Sequence, residues 1–130
     1  MTLLVLGCGV PPAPACTPRL SGEASGQFEN ARFVVAYRMA PTKPKASQPL
    51  RLELGICARA AGIPVERVEV DARMPAHGHG MNYRPSVTQL TAGLFHAEGL
   101  LLHMPGAWEL IIEVTADGRT DRLVTPLAVE

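Results

Sequence analysis

The chain has no excess charge of either sign, no apolar run long enough to span a bilayer, no C-x-x-C pair and no recognisable catalytic motif. Each absence removes a class of function. Lysine plus arginine and aspartate plus glutamate both total 12, so no global field draws in nucleic acid, an anionic membrane surface or an acidic partner. No stretch approaches the roughly 18 apolar residues of a membrane-spanning helix. Without C-x-x-C, a thioredoxin-like or zinc-finger reading has no support. There is no G-x-S-x-G elbow, P-loop or H-E-x-x-H, and Glu98 and Glu109 are the only carboxylates close in sequence to a histidine. A hydrolytic zinc site needs firm ligands, an open position and a general base; the sequence offers no convincing base. No carboxylates cluster for calcium or magnesium, and no segment repeats. The expectation is a protein that is not an enzyme.

At 130 residues and 47% apolar content, the chain can bury one core and is too short for two ordinary domains. Twelve prolines and twelve glycines fall between short β-branched runs, which is the punctuation of an all-β domain. The start differs. "MTLLVLGC" ends in Val5-Leu6-Gly7-Cys8, which resembles a bacterial lipobox, with Cys8 as the lipidated residue. No basic residue precedes it and the apolar run is short, so residues 1–8 read as the remnant of a longer lipoprotein signal peptide. Residues 9–30, rich in Pro, Ala, Gly and Ser, read as a flexible tether. That predicts a periplasmic or outer-surface domain, lipid-anchored at Cys8. Cys16 in the tether and Cys57 at a strand end could pair in an oxidising compartment, and the sequence leaves that pairing open.

From residue 31 to 130 period-two alternation dominates. Phe33, Val35, Tyr37 and Met39 share one parity; so do Leu50, Leu52, Leu54 and Ile56, and Val68, Val70 and Ala72. Weaker strands follow at 86–90 and 94–102. Trp108, Leu110, Ile112 and Val114 alternate again, Asp117-Gly118 supplies a hairpin turn, and residues 123–129 close the chain. Only "GICARAAGIPVER" could hold a helical turn. On the solvent parity, Asp71 and Arg73 are expected to form a surface ion pair of small value. About seven short strands in about 100 residues predict an all-β, immunoglobulin-like antiparallel β-sandwich.

Chemistry-bearing residues concentrate in one stretch. All four histidines, His77, His79, His96 and His103, and the methionines Met74, Met81 and Met104 lie between positions 74 and 104. Met74 continues the buried parity of its strand, Pro75 ends the ladder, and Gly78 and Gly80 let the chain bend. His77, His79 and Met81 are therefore expected on a loop at one end of the sandwich. "HMPG" at 103–106 is a second turn, which a sandwich can bring against the first. Thioethers and imidazoles together favour soft ions, Cu(I) above all. The candidate ligands are His77, His79, Met81, His103 and Met104, with Met74 more strongly placed as core.

The paired motifs "VDARMPAHGHGM" and "GLLLHMPGAWELIIEV" resemble the YtkA-like and FixH-like domains of bacteria over residues 31–129. That resemblance implies a small exported β-sandwich, often associated with copper handling or with the assembly of copper-containing respiratory oxidases. It points to the same Met74, His77, His79, Met81, His103 and Met104, with His96 outside the motif. FixH proteins proper carry a transmembrane anchor that this sequence lacks. A different class of reading stands beside copper binding: an interaction or assembly module whose HGHGM and HMPG loops are structural, the glycines supplying positive φ and the histidines bonding to backbone.

Overall fold

The computed structural model describes Gly7, Gly9 and residues 16–130. Cys8, with its expected lipidation, and most of the segment before Cys16 lie outside the described residues. Among the described residues nine strands follow in order: β1 (Gly26–Glu29), β2 (Phe33–Ala40), β3 (Pro49–Ala58), β4 (Arg67–Met74), β5 (His79–Gly80), β6 (Ser86–Thr91), β7 (Leu94–Leu101), β8 (Gly106–Ala116) and β9 (Arg119–Val129). They form two antiparallel sheets, one ordered β1-β2-β3-β7-β6 and the other β5-β4-β8-β9. Without the short edge strands β1 and β5, four strands face three in the order of an immunoglobulin constant-type sandwich. The seven expected strands are all present.

The inward parities meet to form one core. Phe33, Val35, Leu52, Leu54 and Leu100 come from the first sheet, and Val70, Leu110, Ile112, Val114 and Leu127 from the second. These positions recur every second residue because successive strand side chains point to opposite faces. β8 and β9 join through a two-residue turn in which Asp117 (φ 55) and Gly118 (φ 69) are both left-handed. That is the turn type whose twist matches paired strands. In the stretch expected to allow a helical turn, β3 instead continues to Ala58 in register with β2, and Gly62 at φ 78 turns the chain toward β4. Asp71 and Arg73 do not pair with each other. Arg73 reaches its cross-strand partner Glu109 at 3.1 Å, while the Asp71 carboxylate accepts from the Ala72 N–H at 2.8 Å.

The expected tether is attached to the domain from Cys16 onward. Cys16 and Cys57 form a disulfide with Cα atoms 5.9 Å apart. Beyond it the chain lies along the outer face of β3, passing Cys57, Gly55 and Glu53 in turn. The backbone of Arg19 sits where a side chain at Gly55 would project, so only glycine admits it. Ser21 donates its hydroxyl to Glu53 at 2.6 Å and its N–H to the same carboxylate. Burial works against the charged carboxylate of Glu53, but the Ser21 donors with the nearby charges of Arg38 and His96 outweigh it and hold its pKa below the ordinary value. Gly26–Glu29 then adds to the edge of β2. Val34 and Ala36, outward residues of β2 paired with Cys57 and Gly55, are nonetheless buried.

The disulfide lies at the pole that carries the β8–β9 turn. There the buried Asp121, 8% exposed, accepts from Arg32 at 2.7 Å and from Asn30 at 3.0 Å, while Arg32 also donates to the Ala116 carbonyl at 2.8 Å. Burial alone would raise the carboxyl pKa of Asp121; the bonds from Arg32 and Asn30 and the charges of Arg32 and Arg119 overcome it and lower the pKa below 3.8. A carboxyl depressed on folding stabilises above its unfolded pKa and loses that contribution as pH falls through the folded one. Asp121→Asn is therefore expected to cost about 1–3 kcal/mol at neutral pH. The gap between wild type and variant should narrow in urea unfolding as pH is lowered from about 6 to about 3.

Candidate metal centre

At the other pole, β4 carries Ala72 and then Met74 inward, Met74 being 3% exposed. Pro75 cannot extend the ladder and instead opens a short 3-10 turn over Pro75–His77. Gly78 closes it at φ 64, its N–H bonding back to the Pro75 carbonyl at 3.2 Å. A left-handed residue at that point reverses the chain. His79 and Gly80 then pair back onto β4, with Met74 opposite His79 and Arg73 opposite Gly80. The Met81 N–H continues the pairing to the Ala72 carbonyl at 3.3 Å. The expected open loop is thus a tight hairpin. His77 stands exposed at its tip, while His79 is half-buried on β5.

The second motif arrives from the crossing between β7 and β8. Leu102 is buried, and its carbonyl accepts from the Ser47 N–H at 2.7 Å. His103 and Met104 follow, half-buried. Gly106 has φ 132, and a Cβ there would lie 2.5 Å from the Met74 methyl. The glycine therefore leaves room for the last inward residue of β4 against the first residue of β8.

The two motifs meet in a ring cluster. The imidazoles of His79 and His103 lie 4.8 Å apart between centroids, tilted by 38°. Trp108, on β8 and 1% exposed, packs against both, 5.8 Å from His79 at 61° and 5.5 Å from His103 at 88°. Its indole N–H donates to the Met104 carbonyl at 2.9 Å, which fixes the ring. His77 stacks on the outer side of His79 at 5.7 Å.

In both inner histidines, Nδ1 is buried and has no hydrogen-bond partner among the described residues. Such atoms are uncommon, since leaving a buried polar group unmatched costs about 1–3 kcal/mol. Whichever nitrogen carries the proton, a polar group is left unmatched in each ring. Among the described residues, no three His, Cys, Asp or Glu side chains come together as a metal-binding group. The ring cluster contains no carboxylate, and the Arg73–Glu109 pair flanks it on the outer face of the sheet.

The remaining candidates divide by position. Met74 is core, as its parity indicates. Met81 and Met104 are half-buried and pack against the edge of the core. His96 lies apart, on β7 opposite Glu53 and Thr88, with its Nδ1 3.8 Å from Glu98. Trp108 was legible only as core; its place two residues after "HMPG" on an inward parity is the signal that it also walls the histidines. An open hollow of about 510 Å³ runs along the hairpin past Met74, Pro75, Gly78 and His79. A second, of about 440 Å³, lies among Arg67, Glu69, Arg84 and Glu113 and includes no histidine. No family model, curated protein or solved structure matches the chain.

Proposed function

We propose that this protein is an extracytoplasmic, membrane-tethered domain that binds or passes on a soft metal ion, copper, at the pole built by the two motifs. The observation that carries the reading is the pair of buried, unpartnered Nδ1 atoms on neighbouring imidazoles. An ion that accepts a lone pair from each ring relieves both at once, and the neutral rings need lose no proton from the donating nitrogen. Met104, next to His103 in the chain, and Met81, just beyond β5, are the thioethers available to complete the coordination. The resemblance to YtkA-like and FixH-like domains supports the same class of function, with copper-handling or oxidase-assembly proteins as partners. Lipidation of Cys8 would supply the tether.

That no third His, Cys, Asp or Glu joins the pair among the described residues favours a second reading, an interaction module in which the hairpins simply close the end of the sandwich. Calorimetric titration separates them. With Cu(I) held reduced by ascorbate, the full chain carrying Cys8→Ser is expected to bind one ion. His79→Ala with His103→Ala should weaken that binding by about 100-fold or more. Equal, weak binding by both proteins would leave the interaction module as the surviving reading.

A further inference from the structure

We infer that the His79–His103 pair seats a monovalent d10 ion and discriminates against divalent ions, with Trp108 as the wall that limits coordination. This rests on the metal-binding reading above and specifies its ligand class. Three features carry it.

The donor set is short. Two neighbouring imidazoles, 4.8 Å apart between centroids, each carry a buried Nδ1 with no hydrogen-bond partner among the described residues, and no group of three His, Cys, Asp or Glu side chains forms there among those residues. Zn(II) takes four ligands in closed sites and Cu(II) prefers a tetragonal array of nitrogen and oxygen, whereas Cu(I) accepts few, soft, neutral donors. The donors are also uncharged. Removing a dication from water into a half-buried site without a compensating anion costs far more than removing a monocation, because ion solvation grows with the square of charge.

The third feature is the indole. Trp108 stands within 5.8 Å of both imidazole centroids and is held by its bond to Met104. An ion between the histidines therefore has an aromatic ring on one flank in place of coordinating water. A π system attracts a soft monocation but supplies no σ-donor lone pair for a divalent ion's shell. His77, exposed and stacked on His79, is placed to receive or hand over the ion rather than to enclose it.

Trp108 is the chain's only tryptophan, so its emission reports this pole alone. The experiment titrates the full chain carrying Cys8→Ser with Ag(I), a redox-inert monovalent probe, and separately with Zn(II), following indole fluorescence and heat. Ag(I) is expected to quench Trp108 with saturation at one ion per chain, and Zn(II) to bind at least about 100-fold more weakly. Trp108→Phe, which keeps an aromatic wall but loses the indole and its bond to Met104, should weaken Ag(I) binding by calorimetry and narrow the Ag(I)/Zn(II) ratio about tenfold. Zn(II) binding within about tenfold of Ag(I) would overturn the selectivity while leaving a metal site standing. Ag(I) binding without quenching would place the ion elsewhere and overturn the seat. An unchanged ratio in Trp108→Phe would overturn the role of the indole. Binding of neither ion would remove the metal-binding reading itself.

Discussion

Trp108→Ala is expected to destabilise the domain by about 3–5 kcal/mol, the largest loss from any single substitution at the histidine pole. The side chain is 1% exposed and is the largest fully buried one in the domain. Its removal leaves a cavity bordered by the rings of His79 and His103. It also takes away the indole donor that satisfies the Met104 carbonyl, adding the cost of an unmatched polar group. Domains of this size have about 5–15 kcal/mol in total, so the variant should be marginal at room temperature. Trp108→Phe keeps most of the buried area and should lose roughly half as much or less. Urea unfolding followed by far-ultraviolet circular dichroism checks both, and equal losses in the two variants would contradict the packing account.

Breaking the Cys16–Cys57 disulfide is expected to cost about 4 kcal/mol. The two cysteines are 41 residues apart, and closing a loop of that length removes roughly this much chain entropy from the unfolded state. For a domain of about 100 residues, the midpoint of thermal unfolding should fall by roughly 15–25 °C. Cys57→Ser and Cys16→Ser should behave alike, and wild type should match them after reduction. The strap should also become locally labile. Between Cys16 and Ser21 its remaining attachments are the seat over Gly55 and the Ser21 bonds to Glu53 and Arg38. Ser25 is bonded to the backbone of Tyr37 and Met39, so the segment before Ser21 is the part able to open independently of the core. Trypsin should then cut after Arg19 in the variants well before the sandwich unfolds. Unchanged proteolysis and an unchanged midpoint would show that the strap is held without the disulfide.

How much of this was legible beforehand depends on range along the chain. The seven main strands follow from period-two alternation because each buries one face on a single core, a property written into neighbouring residues. Asp117-Gly118 announced its turn for the same local reason, since few residues tolerate a left-handed conformation. β1 was missed because "GQFE" offers a single large apolar residue inside a Gly- and Ser-rich stretch. β5 is only two residues long, too short for any period to show. The strap could not be read either. Its fit depends on glycine at 55 on a distant strand and on the reach of Cys16 to Cys57.

The candidate site divides the same way. The sequence by itself placed His77, His79 and Met81 on one turn, His103 and Met104 on another, and Met74 as the last buried residue of its strand. Only the tertiary structure decided which of them meet. The reversal at Gly78 sets the register that turns His79 inward and leaves His77 at the tip. The crossing from β7 to β8 brings His103 and Trp108 to it from more than twenty residues away. Periodicity describes which face a side chain takes, whereas a site between hairpins depends on how two sheets are stacked and where each turn ends.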